Sequence, residues 1–109
     1  MNFHDLATQV LTQLGTPDLP SAALDQLLTA AVKSTEITGG GGFADLETSS
    51  VQRVLEYGNG NFAVIRTLTA SSEIGNAILH FHDGRIQNLE IWFYDPNTTA
   101  EQLSAVTLK

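Results

Sequence analysis

The sequence predicts an α+β domain in which two N-terminal helices cover one face of an antiparallel β-sheet. Three observations point there. Apolar residues recur at helical spacing as far as Leu28, and from Ser50 onward the period changes from 3.6 to 2. Short connections bearing Gly, Asn or Asp separate the alternating runs, and short connections make neighbouring strands antiparallel. At 109 residues the chain is one domain, 1–109.

The first helix is predicted from Phe3, Leu6, Val10, Leu11 and Leu14. Asn2 is placed to cap it, Asp5 sits in the first turn, and Gly15 offers a left-handed stop. Pro17 and Pro20 separate it from a second helix starting near Ser21, whose stripe is Leu24, Leu27, Leu28 and Ala31. Lys33–Thr38 reads either as a brief strand or as an extended exit into a flexible loop at Gly39–Gly42. The pattern of Phe43–Thr48 is too short to decide, although it has room for one helical turn. Val51–Tyr57, Phe62–Ala70, Ile74–His82 and Ile86–Tyr94 are β-rich and form a four-strand meander, to which Lys33–Thr38 adds a short N-terminal strand. Gly58-Asn59-Gly60 and Asp83-Gly84 are read as hairpin turns, the latter of type I′. After Pro96, the tail carries a cap at Asn97, Thr98 or Thr99 before a short helix at Ala100–Val106 or a frayed end.

Parity sharpens the last hairpin. A regular ladder from a two-residue turn at Asp83-Gly84 sets Asn88 and Glu90 beside Leu79 and Ala77, mixing polar with apolar residues. One β-bulge near Gln87–Asn88 reverses the parity. Ala77, Leu79, Phe81, Ile86, Leu89, Ile91 and Phe93 then share the helix-covered face. Ile78, His80, His82, Glu90, Trp92 and Tyr94 take the other.

Composition excludes several functions. Without cysteine there is no disulfide, thiolate metal site or thiol nucleophile. Lys33, Arg53, Arg66, Arg85 and Lys109 are too few and scattered to track phosphates, so no nucleic-acid partner is expected from a chain of formal charge −7. No apolar stretch approaches about 18 residues, so no membrane span is expected. Met1–Leu14 lacks the basic and apolar regions of a signal peptide, and the expected location is cytoplasmic. Gly39–Gly42 precedes no Lys-Ser/Thr pair and is not a phosphate loop. It is read as a hinge beside a pocket mouth or as a connector. No cofactor is expected.

The run from His80 to Pro96 (HFHDGRIQNLEIWFYDP), with its F-x-D-G-x-I core, aromatic cluster and Asp95, resembles the closing hairpin of the nuclear transport factor 2-like superfamily. The nearest flavour is its SnoaL-like and ketosteroid-isomerase-like group, of cystatin-like shape. Residues 50–96 carry the resemblance, and the helix–helix–strand order before them agrees with it. The resemblance implies a strongly curved sheet wrapped over helices into a cone, a pocket at the open end, and homodimers through the outer sheet face. This chain is shorter than is usual for the group, with little room for a third helix between Gly39 and Ser50. The isomerases pair an Asp base with a Tyr and a protonated Asp. Ala77 stands where the oxyanion Asp belongs, Ile37 (after Glu36) falls near the base, and the first helix has no Tyr.

The candidate residues follow from this placement. Leu79, Phe81, Leu89, Ile91 and Phe93, with Leu6, Val10, Leu24 and Leu28 of the helices, are expected to line a pocket for a small apolar ligand. His80, His82, Glu90, Trp92 and Tyr94 are expected at a homodimer interface, because Trp and Tyr join an apolar body to a polar tip. The His80-x-His82 spacing can also set two imidazoles on one metal, but only Glu90 or Glu56 offers a further ligand, and no metal site is assigned. Asp95 and Glu36 are the candidate bases for an enzyme moving protons on a small hydrophobic carbonyl compound. The reading that leads is a ligand-binding, dimerising domain without catalysis. The enzyme is the alternative, and a pure protein-interaction module is a further one.

Overall fold

The computed structural model describes residues 1–109. Helix α1 (Phe3–Gln13) starts where the Asn2 side chain accepts the Asp5 N–H at 2.8 Å, and it buries Phe3, Leu6, Ala7, Val10 and Leu11. Its last turn closes on Leu14 in right-handed backbone, so the left-handed stop expected at Gly15 is not used. Helix α2 (Ser21–Leu28) is only two turns long and buries Ala23 and Gln26. The expected stripe is therefore corrected. Leu28 is 84% exposed, Ala31 already belongs to a strand, and Leu24 and Leu27 pack only partly against the core.

Six antiparallel strands follow: β1 (Ala31–Thr38), β2 (Gly41–Glu47), β3 (Asn61–Thr69), β4 (Glu73–His82), β5 (Arg85–Phe93) and β6 (Thr107–Leu108). They form one sheet in the order β1-β2-β5-β4-β3-β6. The β1–β2 hairpin thus continues the meander through β5, and the tail strand β6 pairs with β3 at Leu68 and Thr69. Helix α1 packs on β1, β2, β5 and β6, and α2 packs on β5. No helix is long and apolar enough to cross a membrane.

The strand count differs from the expected one in three places, of which the added tail strand β6 is one. Gly39–Gly40 is a tight turn, and Gly41–Glu47 is a full strand rather than a loop with a helical turn. Gly42, Ala44 and Leu46 alternate inward there. A Cβ on Gly42 would stand 2.7 Å from Phe3 Cζ, so the glycines that weaken the strand signal are what let α1 approach. Val51–Tyr57 is not a strand. It is a loop ending in a 3-10 turn at Leu55–Tyr57, and only Val54 of its apolar residues is fully buried. Its backbone bonds go elsewhere: the Ser50 and Val51 carbonyls accept from Arg85, the Gln52 carbonyl from Gln26, and Val54 N–H donates to Gly84. After Pro96, Thr99 caps a single 3-10 turn, Ala100–Gln102, in place of a longer helix.

The final hairpin has the bulge. Phe81 faces Ile86 and His80 faces Asn88, leaving Gln87 as the extra residue. Asp83 and Gly84 both have positive φ (52° and 76°), as a type I′ turn requires. Beyond Gln87, Leu79 faces Leu89 and Ala77 faces Ile91, all fully buried, while Ile78 faces Glu90 on the opposite side.

Candidate functional site

The core leaves no space for a ligand behind the middle of the sheet. Leu79, Phe81, Leu89 and Ile91 are fully buried in one cluster with Leu6, Val10 and Leu14. Long apolar side chains from α1 reach the sheet and fill the volume that a pocket there would need. Of the five residues expected to line a pocket, Phe93 lines a partly enclosed one at the end of the sheet.

That space is a cavity of about 220 Å³ at one end of the sheet. Its roof is the β1–β2 turn, with Ile37, Thr38 and Gly39–Gly41. Its floor is Phe3 of α1, Phe93 at the end of β5, and the segment Pro96–Glu101. The sequence builds each wall locally. Gly40 (φ 88°) turns the hairpin back so that its carbonyl accepts the Phe93 N–H at 2.8 Å. The Asp95 carboxylate accepts the Asn97 N–H at 2.9 Å, and the Asp95 carbonyl accepts from Thr98 at 3.0 Å, holding Pro96 and Thr98 against the turn. The lining is apolar or hydroxylic, and Glu101 is its one ionisable side chain. Ile37 lines it while remaining 71% exposed, so the cavity opens at the β1 side.

Neither candidate base lies in this lining. Asp95 spends its carboxylate on its own turn, and Glu36 is exposed on the opposite face, across from Phe43. A general base must come within hydrogen-bond reach of the proton it removes. Nothing pairs an acid with a base inside the cavity.

The outer sheet face carries the residues expected there. One row across it reads Glu36, Phe43, Glu90, Ile78, Ile65, and the next reads Ser34, Asp45, Asn88, His80, Ala63. His80 Nε2 donates to Glu90 Oε1 at 3.1 Å, both side chains about one third exposed. His82 Nδ1 lies 2.9 Å from Asn61 Oδ1, and Trp92 and Tyr94 pack edge to face at 5.4 Å. No three His, Asp or Glu side chains converge as metal ligands, and the pairing of His80 with Glu90 uses the one carboxylate beside it.

A third polar group sits at the inner edge of β3. Arg66 donates to Asp18 at 2.9 Å. The Thr16 hydroxyl first, then the Asp18 backbone N–H and this guanidinium, hold the Asp18 carboxyl below its usual range, against a partial loss of hydration. Nearby, Tyr57 stacks on Phe62 at 3.9 Å, and burial, with the charge of Glu56 adding to it, raises its phenol above 10.0.

Sequence reasoning missed Phe3, Ile37, Pro96, Thr98 and Ala100 as lining residues. The usable signal was Gly39–Gly42, read as a hinge beside a pocket mouth or as a connector, which is a tight turn leading into β2. The fold and this site define a small α+β sheet domain with an apolar cavity at one end of its sheet. No protein-family model, curated protein or solved structure matches the chain.

Proposed function

We propose that this chain is a non-catalytic binding domain of the nuclear transport factor 2-like type, its sheet curved into a cone, dimerising through the outer face and holding a small apolar group in the terminal cavity. The observation that carries the reading is the cavity's composition: four apolar side chains and Pro96, with three threonines and three glycines around them and Glu101 as the only ionisable group. Apolar walls with a few polar groups describe a ligand site, whereas acid–base catalysis requires a shielded titratable group. An apolar cavity of about 150 Å³ accepts benzene, so this larger one suits a substituted ring or a small bicycle. Helix–helix–strand order, helices on one face only, and the bulged closing hairpin support the family reading. Phe43, Ile65, Ile78, Trp92 and Tyr94 on a sheet face with no helix over it support the dimer.

The test is a thermal-shift and calorimetric titration with indole and with p-cresol, alongside the Ala100→Leu variant, whose added volume enters the cavity. Saturable binding lost in the variant is the expected result. Binding unaffected by the variant, or no binding by wild type at millimolar probe, removes the cavity from consideration.

A further inference from the structure

Strand β1 is an open edge along its whole length. It pairs only with β2, no other strand lies beyond it, and Lys33 through Gly39 are all exposed. At the other end of the sheet β3 is covered over Thr67–Thr69 by the tail strand β6, with Thr67 and Lys109 exchanging both backbone bonds at 3.2 and 3.1 Å. A free edge presents unpaired N–H and C=O groups, and proteins blunt such edges with bulges and lysines. Here the register slips between Val32 and Ser34, at Lys33, so that half is blunted and Ser34–Thr38 is left regular. In a two-residue hairpin the pair flanking the turn, Thr38 and Gly41, is hydrogen-bonded. Alternation from it directs the backbone groups of Thr35 and Ile37 outward.

The two faces of this edge differ in chemistry. On the helix side Ile37 is exposed at the opening of the cavity. On the outer side stand Glu36 and, one strand in, Asp45, with no Lys or Arg in either row beside them. We infer that β1 docks an extended segment of a partner polypeptide, which adds a strand along Ser34–Thr38, seats one apolar side chain past Ile37 in the cavity, and sets lysines or arginines against Glu36. Strand addition takes its affinity from main-chain bonds and its specificity from pockets for alternate side chains. Both elements are adjacent here. The anchoring of the apolar side chain rests on the cavity being a binding site, while the strand pairing and the charge match stand on the edge alone.

The probe is an acetylated, amidated heptapeptide alternating lysine with valine and carrying a central phenylalanine, with indole titrated separately. On peptide binding, the amides of Thr35 and Ile37 are expected to exchange with solvent at least tenfold more slowly. Thr35→Pro removes one outward N–H at an edge position that tolerates proline. It is expected to weaken the peptide at least tenfold and to leave indole unchanged. Glu36→Lys, on an exposed side chain, is expected to reverse the preference in favour of the same peptide with glutamate for lysine, so the inference remains testable if the proline variant does not fold. Replacing the central phenylalanine by alanine is expected to cost at least tenfold.

Peptide binding that ignores both protein variants, protection at Trp92 instead of β1, or indole bound with the peptide rejected, overturns strand addition while leaving the cavity reading intact. Strand pairing with indole rejected, and with phenylalanine and alanine peptides equal, overturns the cavity reading and the anchor together.

Discussion

The side chain of Gln26 closes the backbone of Ile86: its carbonyl accepts the Ile86 N–H at 2.7 Å, sixty residues along the chain. Its amide donates to Gly84 at 2.8 Å and to Gln52 at 2.9 Å. Gln26 is fully buried, so one amide holds α2, the 50–54 loop and the closing hairpin together. An amide can do this because it carries a donor pair and an acceptor on one rigid plane.

Gln26→Leu keeps the volume and orphans the Ile86 N–H. A buried unsatisfied donor costs about 1–3 kcal/mol, and the loss of the Gln52 bond adds to it. Urea unfolding is expected to show a loss of about 2–4 kcal/mol. A loss under about 0.5 kcal/mol would mean the amide is not structural.

The bulge predicts that the register does not depend on Gln87 itself. Gln87 is exposed, and Gln87→Ala is expected to change stability by no more than about 0.5 kcal/mol. Deleting Gln87 sets Asn88 directly after Ile86, the two opposite His80 and Phe81, a regular ladder that keeps Leu89, Ile91 and Phe93 inward and Glu90 on the outer face. The deletion variant is expected to fold, with native circular dichroism. A deletion variant that does not fold would contradict the register.

Gly42 supports the cavity floor. A Cβ there would lie 2.6 Å from the Glu36 carbonyl and 2.7 Å from the Phe3 ring, so backbone as well as ring must move. Gly42→Ala is expected to cost about 1–3 kcal/mol, read as a lower denaturation midpoint, and to shift the Phe3 ring resonances. Unchanged stability would show that α1 does not press on β2.

The Asp18–Arg66 contact predicts the sign of an acid effect. A carboxyl held below its free value of 3.8 stabilises the fold above that pH and loses the contribution as pH falls through its lowered folded value. Asp18→Asn is therefore expected to unfold at lower urea than wild type at about pH 6 and to match it by about pH 2. A difference that persists at the acid end would contradict the assignment.

The proposed dimer face carries Glu36, Asp45 and Glu90 toward a copy of itself. Like charges repel less when salt screens them, so sedimentation is expected to show tighter association as ionic strength rises from about 0.05 to 0.5 M. Trp92→Ala is expected to weaken association at least about tenfold, or ~1.4 kcal/mol. A monomer at all salt concentrations would remove the dimer.

Helix α1, strands β3 to β5 and even the bulge were legible because side-chain period and parity are local. Strand β2 was not, since its inward positions are Gly42, Ala44 and Leu46, and Gly42 reads as loop until Phe3 is seen against it. Val51–Tyr57 misled for the opposite reason. Its β-branched and aromatic residues suit a strand, but tertiary bonds to Gln26, Arg85 and Gly84 outweigh propensity there. The cavity was illegible because its walls come from residue 3, residues 37–41 and residues 93–101 at once. Only a topology that puts β1 and β2 beside β5 brings them together.

The most direct test of the binding site is an amide chemical-shift map of the protein with and without saturating indole. Changes concentrated at Ile37–Gly41, Phe93 and Thr98–Glu101 are the predicted result. Changes centred on Leu79 and Leu89, or none anywhere, would contradict it.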